Sequence, residues 1–365
     1  MKKKIFIILP FKESLDPKKA GAVSIYIKDS LKHSKYKNNI QLISSNNFSN
    51  STFFRNKNYI IQFCKKYKNQ NISILEIHNR PEYVKVVKKY FPNSKIILTF
   101  HNDPLNLRGS VLASEREYII KNCEKIVFIS KWIQKRFYSQ TSTNVTNNYE
   151  LIYPGILKKK NINLSKKKKN ILFVGKLNEN KGYHIFHDVA KQFKKINPNW
   201  NFIAIGNEPR KKIFPEENII KEVGYKEYKK VLDYYEKSEI AIGNSFWDEP
   251  FGRIAIEASS RKCCPIITNV GGLIESKDIA IVLTRNNTNH ILTVLRKLTN
   301  NIKYLRSQQN KFYNKNNFDI RKISKSIDMI RENIFKKDLD LNTNNLKILH
   351  ITNFNERFDG RLHYN

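Results

Sequence analysis

Glu249 and Glu257 stand eight residues apart in the run Asp248-Glu-Pro-Phe-Gly-Arg-Ile-Ala-Ile-Glu257-Ala-Ser-Ser. Pro250 and Gly252 are poor helix-interior residues, whereas Arg253 to Ser259 has the character of a helix opening. The spacing therefore predicts Glu249 on a loop and Glu257 about one turn into the helix that follows. Free backbone amides at a helix start point outward and suit an anionic or hydroxyl-rich ligand. Two carboxylates in that setting fit the hydroxyls of a sugar or a ribose.

Other segments carry related chemistry. Ile171-Leu-Phe-Val-Gly175-Lys176-Leu-Asn-Glu-Asn-Lys181-Gly182 reads as strand, glycine, loop, lysine and helix start, an arrangement that suits a pyrophosphate. It has neither the Walker spacing nor the dinucleotide glycine triplet, which disfavours a P-loop NTPase or a nicotinamide enzyme. Any turn between a strand and a helix can look similar, so this run acquires meaning only beside the others. Asn201 to Gly206 is a second strand ending in glycine, and Asn269-Val-Gly271-Gly272-Leu-Ile-Glu275 is a third glycine turn. Glu275 either binds a ligand or caps a helix; Arg253 either joins the glutamates or forms a surface ion pair; Trp247 suits packing better than stacking on a base.

In the first half, Lys19-Ala-Gly21-Ala-Val-Ser24 follows the first strand, and Thr99-Phe-His101-Asn102-Asp103 and Glu76-Ile-His78-Asn-Arg80 each end a later one. A histidine at a strand end can serve a ligand or only a local hydrogen bond.

These residues need a scaffold that brings strand ends together. Short apolar runs alternate with amphipathic stretches, the pattern of parallel sheets flanked by helices. Strands are expected at Lys4–Leu9, Ile40–Ile43, Ile72–Ile77, Lys95–Phe100, Ile126–Ile129 and Leu151–Tyr153. The pattern restarts at Ile171–Val174, Asn201–Ile205, Ile219–Val223, Ile240–Ile242, Cys264–Thr268 and Ile279–Val282. We therefore expect an α/β protein with two Rossmann-like parallel-sheet domains facing a central cleft, spanning 1–157 and 171–316. The basic segment 158–170 is expected to link them, and a helix at 317–338 to complete the second unit. The tail 339–365, with Leu346 to Thr352 and Gly360, resembles the first strand and loop of a further, truncated module.

With 365 residues, 40 % hydrophobic and 12 % aromatic, the chain can bury two cores of roughly 150 residues each. Its 67 Lys and Arg against 32 Asp and Glu give a net charge of +35. That excess suits codon bias with a solvated surface first and peripheral contact with anionic membrane second; nucleic acid is not expected, because no nucleic-acid-binding motif is visible. Cys64, Cys123, Cys263 and Cys264 lack zinc spacing and fit a reducing, cytoplasmic setting. The apolar run after Met1-Lys-Lys-Lys stops at Pro10, too short for a membrane span and better as a core strand.

From Ile171 to Glu275 the chain resembles the family 4 (group 1) nucleotide-sugar glycosyltransferases of GT-B architecture, whose signature pairs two glutamates across seven residues, preceded by a Gly-[Arg/Lys]-Leu…Lys-Gly turn and followed by a Gly-Gly…Glu turn. The resemblance continues in layout, less sharply, over residues 1 to about 335. It implies that Lys176 and Lys181, with the turns at Gly21, Gly175 and Gly206, meet the donor diphosphate. Glu257 would take the ribose hydroxyls, and Glu249, with the Phe251 and Gly252 amides, would hold the sugar near its anomeric carbon. It places His101 against the donor sugar, while His78, Arg80 and Asn102 are expected on the acceptor side. Lys176 stands where many relatives carry arginine, and Ala20-Gly21 replaces a glycine pair. Retention of configuration, no cofactor and no metal are implied. The donor would be a nucleotide-sugar and the acceptor a cell-envelope glycan or lipid-linked sugar, as in lipopolysaccharide assembly, worked at the inner face of the cytoplasmic membrane. An epimerase or phosphorylase on the same architecture, a non-catalytic or nucleic-acid-binding basic protein, and a truncated pseudo-enzyme are the rival readings.

Overall fold

The apolar runs pair into two parallel six-stranded sheets in the computed structural model, which describes residues 4–16, 20–45, 56–142, 148–208 and 219–337. The first holds β1 (Ile5–Ile8), β2 (Ile40–Ile43), β3 (Ile74–His78), β4 (Lys95–Phe100), β5 (Lys125–Phe128) and β6 (Tyr149–Leu151) in the order β2-β1-β3-β4-β5-β6. The second holds β7 (Lys168–Val174), β8 (Asn201–Ile205), β9 (Ile220–Glu222), β10 (Ser238–Gly243), β11 (Cys264–Thr268) and β12 (Ile281–Leu283) in the order β12-β11-β10-β7-β8-β9. Every residue of β1, β3 and β11 is buried, which explains their continuous apolar runs: helices cover both faces.

Helices α1 (Ala22–Lys32), α2 (Asn56–Tyr67), α3 (Glu82–Tyr90), α4 (Ala113–Asn122) and α5 (Lys131–Phe137) belong to the first sheet. Helices α6 (Tyr183–Ile196), α7 (Tyr228–Lys237), α8 (Ile254–Ser259), α9 (Thr288–Thr299) and α10 (Ile302–Lys315) belong to the second. Strand order reverses between β1 and β3 in one sheet and between β7 and β10 in the other. At such a reversal the loops leave toward opposite faces and open a crevice beyond the carboxyl ends of the strands.

Two expectations from the sequence change. The basic linker ends early: β7 begins at Lys168, and Lys167 is buried, donating to the carbonyls of Tyr235, Glu236, Ser238 and Arg261 at 2.8–3.2 Å. Charge composition marked it as solvated, but four carbonyls at the ends of α7 and α8 repay its desolvation. The closing helix, α11 (320–337), does not complete the second unit. Ile320, Ile323, Ile330, Ile334 and Phe335 pack instead against Ile5, Ile7, Ile74 and Val127 of the first sheet. Arg331 anchors it, donating to Glu76 on β3 at 2.6 and 2.8 Å and to Asp328 at 2.8 Å, all three side chains buried. The chain crosses between domains twice, and the crossings run side by side: Ile156 N–H donates to the Phe318 carbonyl at 2.8 Å. Among the described residues no helix is long and apolar enough to cross a membrane. Lys19 and the tail 339–365 lie outside the described residues.

Candidate active site

The reversal between β7 and β10 holds a cavity of about 160 Å³ lined by Gly175, Lys181, Ser245, Glu249, Arg253 and Glu257, among others. Glu249 sits on the loop between β10 and α8, and Glu257 is the fourth residue of α8. Backbone contacts fix that loop. The Gly272 N–H donates to the Glu249 carbonyl at 2.6 Å, and a Cβ on Gly271, whose φ is 52°, would stand 2.5 Å from that same oxygen. The third glycine turn therefore buttresses the carboxylate loop through its glycines, while its Leu273 lines the cavity. Gly206 plays the same part for Gly175: its φ is 144°, and a Cβ there would collide with the Gly175 carbonyl.

The carboxylates are each paired with a cation. Lys181 Nζ donates to Glu249 Oε1 and stands 4.9 Å from the centre of the Trp247 ring. Arg253 donates from Nε to Glu257 Oε1 at 2.8 Å and from Nη2 to the Tyr228 hydroxyl at 2.7 Å. Burial pushes the Glu257 carboxyl above the usual range against the opposing pull of Arg253. Burial also pulls Arg253 down, but Tyr228 and Glu257 outweigh it and hold the guanidinium above its ordinary value. A carboxylate held by one cation still has lone pairs for hydroxyl donors, and the cations can turn to an arriving anion.

The facing rim belongs to the first domain. His101 directly follows β4 and His78 ends β3; His78 Nδ1 lies 2.9 Å from His101 Nε2, with the rings stacked at a centroid distance of 5.3 Å. Asn79, at φ 56°, accepts from the backbone N–H groups of His101 and Asn102 at 3.2 and 3.0 Å. Tyr26 on α1 meets the His101 ring edge-on at 4.9 Å. Burial first, and Arg253 across the cleft second, together lower His101 to about 3.

The structure sorts the expected residues. It brings Glu249, Glu257, Lys181, Gly175, Gly252 and Arg253 around one cavity, but Lys176 is exposed and outside its lining. The Phe251 ring is buried between Tyr153 and Phe318, each 5.6 Å away, so only its backbone is left for a ligand. Trp247 is 48 % exposed under Lys181, against the expectation of packing. His78 is corrected: at 4 % exposure it stands behind His101, not on an acceptor surface. Arg80 donates to the Asn79 carbonyl at 3.2 Å within its own turn, while Asn102 is exposed. Gly21 opens α1, and the adjacent Ala20 carbonyl accepts from Tyr225 of the second domain at 3.5 Å. Glu275 caps a helix: its carboxylate accepts from the Lys131 and Trp132 amides of α5 at 2.9 and 2.8 Å, across the domain boundary. Tyr228 and Tyr26 were not singled out, because isolated tyrosines on helices carry no motif.

Residues 156–315 match the family model described as glycosyl transferases group 1. The chain is 22 % identical over 246 residues to the putative glycosyltransferase YtcC of Bacillus subtilis (strain 168), a match covering 57 % of this chain and 58 % of that one. It is 26 % identical over 222 residues to an uncharacterised 42.6 kDa protein in the cps region of Klebsiella pneumoniae, covering 59 % and 54 %. The matched region thus spans less than two thirds of each relative's length. Among solved structures, Anabaena HepE in complex with UDP-glucose superposes with a TM-score of 0.67 at 13 % identity, over 91 % of this chain and 99 % of that one. The two six-stranded parallel sheets and their arrangement are those of the GT-B fold.

Proposed function

We propose that this chain is a retaining, family 4-like glycosyltransferase that moves a sugar from a nucleoside-diphosphate donor to a cell-envelope glycan or lipid-linked acceptor. The observation that carries the reading is the pairing of Lys181 with Glu249 and Arg253 with Glu257 at a topological switch point, opposite His101. The group 1 match over that domain and the UDP-glucose held by HepE support it.

In the proposed reaction the bond between the anomeric carbon and the diphosphate oxygen breaks, and the acceptor hydroxyl bonds to that carbon on the same face. The acceptor proton leaves with the diphosphate. Lys181 exchanges Glu249 for the diphosphate, which frees the carboxylate for the sugar hydroxyls and places it near the developing positive charge. Lys176 at the rim adds a second cation, and Arg253 and Lys181 supply the charge that would otherwise call for a metal. Glu257, one turn into α8, accepts from the ribose hydroxyls. The cps-region relative favours an envelope acceptor, and the charge of +35 favours work against anionic lipid at the inner membrane face.

The test is thermal stabilisation across UDP-, GDP-, ADP- and CMP-sugars, followed by transfer assays with the stabilising donor. Glu249→Ala should abolish transfer while keeping that stabilisation, and Glu257→Ala should lose the stabilisation. Two active variants, or no stabilisation by any sugar nucleotide, would sink the reading.

A further inference from the structure

A neutral imidazole has one N–H donor and one lone-pair nitrogen, so a hydrogen bond between two neutral imidazoles couples their tautomers. His78 and His101 form such a pair, 2.9 Å apart. Both are buried, and burial pushes both toward the neutral form. The groups facing the pair are Tyr26 from α1, Glu76 from β3, Arg331 from α11 and Arg253 from across the cleft. Among the described residues neither ring makes an ion pair with a carboxylate, and the two guanidiniums oppose protonation.

The far side of His78 is closed. Its Nε2 is buried with no hydrogen-bond partner among the described residues. His78 lines a cavity of about 20 Å³ together with Tyr26, Glu76, Thr99 and Arg331, room for about one water. Glu76 and His78 share a face of β3, being two residues apart, so the Arg331 that binds Glu76 also stands on the His78 side. A guanidinium there favours a lone pair over an N–H at Nε2. The remaining proton then belongs on His78 Nδ1, which donates to His101 Nε2.

We propose that His78 is a positioning residue: by donating from Nδ1 to His101 Nε2 it fixes the ring and tautomer of His101, whose Nδ1–H becomes the donor offered to a sugar oxygen in the cleft. This rests on the reading of His101 as part of the donor site. It also explains why a polar residue at the end of β3 is buried away from any acceptor.

Nitrogen-15 NMR of histidine-labelled protein tests the pairing without any substrate. In the unaltered protein, His101 should carry its proton on Nδ1; a proton on Nε2 overturns the proposal outright. His78→Phe keeps a ring of similar size and removes the donor. It should shift His101 toward the Nε2–H form and lower kcat by about ten- to a hundredfold, with the donor KM little changed. His78→Gln, which returns an N–H donor, should recover part of that loss, and His78→Leu removes the donor if the phenylalanine variant does not fold. Unchanged His101 signals and full activity in His78→Phe or His78→Leu, beside an inactive His101→Phe, would refute the positioning role. If His101→Phe is itself fully active, the donor-site role of His101 falls, whereas the nitrogen signals alone still decide the pairing.

Discussion

Lys181 holds Glu249 in an ion pair, and in the proposed reaction the donor diphosphate draws the lysine away and frees the carboxylate for a sugar hydroxyl. The two glutamates were visible in the sequence because loop residues between them and a helix after them limit where they can point. The histidines were visible only as strand ends; that one backs the other depends on the parallel register of β3 and β4, which pairs His78 with Thr99. Their burial has a measurable cost in acid. His101 is held near 3 in the folded state against about 6.5 in an unfolded chain, so the unfolded state binds the extra proton first. Its contribution to stability is complete above about pH 6.5 and falls as the pH drops toward 3, by about 1.4 kcal/mol per pH unit. Urea titrations at pH 7 and 5 should show His101→Gln losing about 2 kcal/mol less than the unaltered protein over that interval; equal losses would contradict a buried neutral His101.

At the scale of elements, Glu275 shows how a motif residue can change meaning. Its place after Gly271-Gly272 left ligand binding and helix capping both open, and the structure seats it on the first amides of α5 in the other domain. A charged acceptor on two otherwise unpaired N–H groups is favourable at a helix start. Because the two groups come from different domains, this bond also sets how the rims face each other. Glu275→Ala should cost about 1.5–3 kcal/mol and speed hydrogen exchange at the Lys131 and Trp132 amides. Unchanged exchange there would show that the cap does not hold in solution. Lys167 makes a similar point: a residue inside a basic run is buried on four carbonyls, a use that no local pattern announces.

At the scale of the molecule, α11 ties the chain back to its beginning. The apolar stripe of that helix was legible from its spacing, but not the sheet it would cover, since both sheets present the same kind of surface. The choice is made by Arg331, whose partners Glu76 and Asp328 would be left as buried charges without it. The net charge of +35 is likewise a property of the whole surface. If it serves anionic lipid, the protein should float with phosphatidylglycerol vesicles at low salt, not with neutral ones, and lose that binding at high salt because exposed charges are screened. Equal recovery from both vesicle types would remove the membrane role.

The sequence by itself determined the fold class and the carboxylate loop. Apolar runs of strand length separated by helical periods permit little else, and the Glu249-to-Glu257 segment carries its own turn and helix start. Tertiary structure alone decided what each charged group is for. Lys181 and Glu249, Glu275 and α5, Arg331 and Glu76, and the two histidines are partners across 68, 143, 255 and 23 residues of chain. Burial turns such meetings into strong pairings, because a buried charge or polar atom must find a partner wherever the fold places one.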